Sequence, residues 1–181
     1  MYVQACMYDT ERVNASDALG LLRSIPATPG RVREVAVPPA ARRLSTLPHV
    51  DYEDAFLIEI GAAQDRTPEQ WARAILEDAP ITIRTALRSG WLALGLQFDP
   101  SPSERSVLGW EVWRSTPEYV LLAGSSRIGL SAELLFKRQR HTLLFATLLQ
   151  QENPIARAVW AGVAPAHRPI VRYLLEQGSR R

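Results

Sequence analysis

The sequence predicts an α+β fold in which a curved antiparallel sheet packs on one long C-terminal helix. Three observations predict it. Phe56, Ile58 and Ile60 alternate with Leu57 and Glu59, the period of a half-buried strand. Four β-rich runs then follow with hairpin-length connections, which favours antiparallel pairing. Last, Ile155, Val159, Trp160, Val163, Val171, Leu174 and Leu175 form a broad apolar stripe that must be buried, and the sheet is its obvious partner.

Taken in order, residues 1–49 read as a Pro-rich N-terminal extension packing on or near the sheet. Pro26, Pro29, Pro38, Pro39 and Pro48 leave little room for long regular structure. A short helix fits residues 17–24, and Val32, Val35 and Val37 fit an edge strand or extended arm. Residues 50–181 form the main domain. After its first strand, Thr67-Pro68-Glu69-Gln70 is a helix start: Thr67 caps, Pro68 suits the first turn and Gln70 closes a capping box. Pro80 opens a second helix that carries Ile83, Leu87 and Trp91. Strands are expected over residues 107–114, 118–125, 128–137 and 141–150, with a weaker one near 94–98. Asn153-Pro154 starts the final helix, and Pro165 and Pro169 inside it predict a kink or break.

Composition excludes several function classes. The chain has 181 residues, 46% hydrophobic and 22% charged, which is ordinary for one globular domain with an extension. A lone cysteine, Cys6, rules out an internal disulfide framework and a CxxC-type zinc site. No apolar run is long enough to span a bilayer, and the first ten residues lack a secretory pattern, so the default compartment is the cytoplasm. The net charge is +2, and Lys137 is the single lysine among 21 basic residues. The basic residues are interleaved with acids rather than gathered on one face, so no nucleic-acid partner is expected. His49, His141 and His167 lack metal-ligand spacing, and there is no GxGxxG, P-loop or GxSxG. No metal and no cofactor is expected.

The chain resembles the START-like, or polyketide-cyclase-like (SRPBCC), superfamily, with its helix-grip fold, over residues 50–177. The likeness rests on Asp51-Tyr52 with Asp54-Ala55-Phe56, Trp71-Ala72-Arg73, Gly109-Trp110, Asn153-Pro154 with Ala156-Arg157, Val159-Trp160, Pro165, His167-Arg168 and Ile170-Val171. It also looks like an actinobacterial branch of unknown function within that superfamily. The resemblance implies a small apolar ligand, lipid or polyketide-like, held between sheet and helix, and in some branches cyclase or hydrolase activity.

Individual residues are read both ways. Trp110 and Trp113 cannot face the same space along one strand; Trp110 is placed inward, as cavity wall or plain core. Phe136 and Trp160 are expected on the same wall, with Arg157, His167 and Arg168 to orient a guest, while Trp71 and Trp91 read as core. His167 is either a general acid/base or, with Arg168, a cap for carbonyls freed by the prolines or a partner of Asp51 or Asp54. Glu133 reads as a solvated residue on the outer face; turned inward it would be a catalytic acid. The strand over residues 142–149 is apolar on both faces, so something must cover its outer side. The extension is one cover and a second subunit, in a homodimer, the other. Three functions follow: ligand binding, an enzyme using the same cavity with His167 as acid/base, or a dimerising protein with a filled core.

Overall fold

The structure, a computed structural model, describes residues 32–60, 65–97 and 105–180. Cys6 and the helix expected over residues 17–24 lie outside them. The strands are β1 (Val32–Val35), β2 (Tyr52–Glu59), β3 (Ser106–Val107), β4 (Trp110–Ser115), β5 (Tyr119–Ser125), β6 (Leu130–Arg138) and β7 (Thr142–Gln151). The helices are α1 (Pro39–Arg42), α2 (Pro68–Leu76), α3 (Ile81–Ala93) and α4 (Pro154–Gly178). One curved seven-stranded sheet has the order β1-β2-β7-β6-β5-β4-β3, and every neighbouring pair is antiparallel. The long β7 is flanked by β2 and β6, which makes it a central strand and accounts for its two apolar faces.

Strand alternation divides the sheet cleanly. Phe56, Ile58, Leu134, Phe136, Leu143, Phe145 and Trp110 face the helical layer. There α4 packs on β1, β2, β7 and α2, while α2 also packs on β5 and β6. Ala55, Leu121, Leu135, Leu144, Ala146 and Leu148 face the other way and are covered by Val35, Val37, Ala41, Leu44, Leu47 and Val50. The arm between β1 and β2 therefore supplies the outer cover that the composition of β7 demands. It also removes the exposed apolar face that had suggested a second subunit.

The local signals at the helix starts act as read. Gln70 N donates to Thr67 Oγ1 at 3.2 Å and Thr67 N to Gln70 Oε1 at 2.8 Å, and Ala156 N donates to Asn153 Oδ1 at 3.0 Å. The approach of α2 to α4 requires Gly178, where a Cβ would lie 3.0 Å from Ile75 Cα and closer still to its side chain.

Four expectations need correction. The strand over residues 107–114 is a hairpin, β3–β4, because Leu108 (φ 49°) and Gly109 (φ 96°) both take left-handed backbone, the geometry of a tight two-residue turn. The strand near residues 94–98 reduces to one bridge, Leu96 to Ser126. The final helix does not break: α4 runs through Pro165 and Pro169. Ala161, Pro165 and Pro169 are all exposed, one stripe at four-residue spacing, so the carbonyls left without donors face water. Finally, Glu133 is on the outer face but is not solvated. It is 1% exposed because the arm lies over it. Its carboxylate accepts from Ser45 Oγ at 2.5 Å, Thr46 Oγ1 at 2.5 Å and Thr46 N at 3.0 Å.

Among the described residues no helix is long and apolar enough to cross a membrane, and no cluster of His, Cys, Asp and Glu could hold a metal ion.

Candidate functional site

The space between sheet and helices is not filled. A cavity of about 180 Å³ lies there. Its floor is Trp110 of β4, Leu130, Ala132 and Leu134 of β6, and Thr147 and Leu149 of β7. One side is the face of α3 carrying Leu87, Gly90 and Trp91; the other is the face of α4 carrying Trp160, Val163, His167 and Ile170. The spacing on α4, at steps of three and four residues, is what puts these side chains on one wall. Trp91 meets Trp110 edge-on, with centroids 5.4 Å apart. Trp110 in turn lies over Gly124, where a Cβ would stand 3.0 Å from the indole. Three indoles therefore bound the cavity, and Thr147 and His167 are its polar positions.

Behind His167 stands Asp54, which β2 delivers to the inner face together with Tyr52 and Phe56, at every second position. Asp54 is 4% exposed. Its Oδ2 lies 3.1 Å from His167 Nε2 and accepts from the Tyr52 hydroxyl at 2.7 Å. Thr147 Oγ1 lies 3.3 Å from the same imidazole nitrogen. Burial pushes the Asp54 carboxyl upward, but the hydrogen bond and charge of His167, with smaller contributions from Tyr52 and Thr147, outweigh it and hold Asp54 below the usual carboxylate range. Asp54 is thus an anion at neutral pH. An ionised carboxylate can only accept, so His167 Nε2 donates to it. Burial likewise pushes the Tyr52 hydroxyl up to about 12, with Arg168 pulling it down and Asp54 adding to the rise. Tyr52 also packs edge-on against Trp160 at 4.8 Å, and Trp160 lies 5.1 Å from the His167 ring.

The residues singled out from sequence separate into three places. Trp110, Trp160 and His167 line the cavity. Arg168 is exposed beside it, with Nη1 3.0 Å from Glu34 and Nε donating to Tyr52 at 3.2 Å. Phe136 and Arg157 are elsewhere. Phe136 is fully buried against Phe145, centroids 5.0 Å apart, and Arg157 is exposed on α4 away from the cavity wall. Of the two aspartates considered as partners of His167, Asp54 is the one in contact; Asp51 instead accepts from Gln151 N at 2.6 Å and lies 3.1 Å from His49 Nε2. Sequence reasoning passed over Thr147 and took Trp91 for core. The alternation of β7 already put Thr147 on the face of Phe145 and Leu149, so a polar residue in that apolar row was the available signal.

A larger depression, about 520 Å³, lies on the outer face between the arm and Glu111, Trp113 and Glu133. It is more open and more polar than the inner cavity, and it borders Gln97 and Arg105 at the ends of a segment outside the described residues. The apolar cavity between sheet and helices is the better candidate.

No protein-family model matches the chain, and no curated protein matches it.

Proposed function

We propose that the chain binds a small apolar molecule in the cavity between sheet and α4, in the manner of a helix-grip, START-like domain. One observation carries this reading: a partly open, indole-walled apolar space of about 180 Å³ between the sheet and the helices. The volume narrows the earlier expectation. Drug-sized ligands occupy about 300–1,000 Å³, whereas an engineered apolar cavity of about 150 Å³ takes up benzene. A guest of one ring fits, and an entire lipid chain or polyketide does not. The affinity would come from apolar area removed from water, at about 25 cal/mol per Å².

Trp91, Trp110 and Trp160 make the site self-reporting. Toluene is expected to change the intrinsic fluorescence of the protein saturably, and native mass spectrometry of freshly purified protein to show bound small molecules. No saturable change up to the solubility limit of toluene, together with a bare mass, removes the binding reading.

The second reading, an enzyme of cyclase or hydrolase type, draws on the contact of Asp54 with His167. A buried carboxylate that accepts from an imidazole and orients it is an arrangement found in general acid/base catalysis. Here a His167→Ala variant that keeps toluene binding but loses turnover would favour catalysis over simple binding.

A further inference from the structure

We propose a second binding site, on the outer face of the sheet, that takes a saccharide: an uncharged pyranose ring stacked on Trp113. It lies on the opposite side of the sheet from the inner cavity and is independent of what that cavity holds.

The site starts from a break in strand register. On β4, Val112 pairs with Leu122 and Arg114 with Leu121, so Trp113 is the extra residue of a β-bulge. A bulge bends its strand and re-aims a side chain, and bulges recur beside functional sites. The side chain re-aimed here is an indole that keeps 54% of its surface exposed, whereas the other four tryptophans are buried or half-buried. Register also builds the floor beside it. Glu111, Ala123 and Glu133 stand in one row across β4, β5 and β6, and Ser125 pairs with Ser131 in the next row on the same face. Ala123 and the two serines are small, and they floor a depression of about 520 Å³ that Trp113 lines from β4 and Thr46 from the arm. That volume is within the range of small-molecule sites, roughly 300–1,000 Å³.

The walls set the chemistry of the guest. Glu133 is already engaged by Ser45 and Thr46. Among the described residues, the side chains of Glu111, Arg105, Ser125 and Ser131 have no partner. Glu111 accepts, Arg105 donates, and each serine does both. One carboxylate and one guanidinium give these four groups no net sign, so they select no ion. They match a neutral molecule that donates and accepts at several points. The indole adds a flat apolar platform in wet surroundings. A pyranose with equatorial hydroxyls has both complements, a C–H face and a rim of hydroxyls. A nucleobase also stacks on an indole, but its phosphate would meet Glu111 with a single arginine to balance it.

Cellobiose, two pyranose rings with equatorial hydroxyls, is the probe. Calorimetric titration of the full chain is expected to show saturable binding. Trp113→Ala should weaken it about tenfold or more through loss of the platform. Because Trp113 is exposed, that variant should melt close to wild type. Glu111→Ala should weaken cellobiose by about two- to tenfold, the loss of one hydrogen bond. Neither residue lines the inner cavity, so toluene binding, where wild type shows it, should be unchanged in both variants. No saturable heat with cellobiose up to its solubility limit overturns the proposal. So does cellobiose binding that Trp113→Ala leaves intact. If AMP binds at Trp113 and cellobiose does not, the platform belongs to a nucleotide and the saccharide assignment falls.

Discussion

Asp54 owes its ionised state to its neighbours, and that makes stability depend on pH. Its carboxyl lies below the ordinary range because the hydrogen bond and charge of His167 outweigh the cost of burial. A depressed folded-state pKa contributes stability that is fully present above the unfolded value, near 3.9, and is lost as the pH falls through the folded value. Asp54→Asn removes that ionisable group. Denaturant melts at pH 7 should show a loss of about 1–3 kcal/mol, since a charged, buried hydrogen-bond acceptor is replaced. The gap to wild type should shrink as the pH is lowered from 4 towards 2. A gap that stays constant over that range would show that the Asp54 carboxyl is not held low. Tyr52 gives the opposite limb. Its folded-state pKa is raised to about 12, so its contribution is present below about 10 and fades between about 10 and 12.

The elements were readable where a signal is local. Thr67–Gln70 and Asn153–Pro154 name their helix starts because the capping atoms sit within four residues of each other. The faces of β6 and β7 follow from alternation alone. What stayed hidden depends on contacts distant in sequence. Glu133 looked solvated because nothing near it in sequence says that Ser45 and Thr46 will lie on top of it. The pairing of His167 with Asp54 was one of several open choices because the partners lie on α4 and β2 and only the fold brings them together. The same helix shows how a packing contact decides the sign of a substitution. Gly162 has open space where a Cβ would go, whereas at Gly178 the Cβ would press on Ile75 Cα. Gly162→Ala should stabilise by about 0.5–1 kcal/mol through helix propensity, and Gly178→Ala should destabilise by about 1–3 kcal/mol through overpacking between α2 and α4. Thermal melts of the two variants check this, and equal shifts would contradict the close approach. On the other side of the sheet, Glu133→Ala strands the Ser45 and Thr46 donors. Faster tryptic cleavage at Arg42 and Arg43, with the rest of the domain still folded, is the expected result.

At the scale of the molecule, the cavity is a cost that the fold carries. At about 24 cal/mol per Å³, a volume of about 180 Å³ that is partly open to solvent represents at most roughly 4 kcal/mol of forgone packing. That is a large share of the 5–15 kcal/mol by which a domain is stable. A chain with an ordinary apolar composition has the side chains to close such a gap. A guest bound between α3, α4 and the sheet, as proposed above, would return stability by mass action. Ala132 tests this directly. It lies on β6 at the cavity floor, where a β-branched residue suits the strand. Ala132→Ile should raise the unfolding free energy by about 1 kcal/mol by filling part of the space, and should weaken toluene binding tenfold or more. Stability and binding then move in opposite directions, as required of a site kept open at the expense of packing. A variant that is destabilised and still binds toluene normally would place the guest elsewhere, and the outer depression beside Trp113 would be the next place to look.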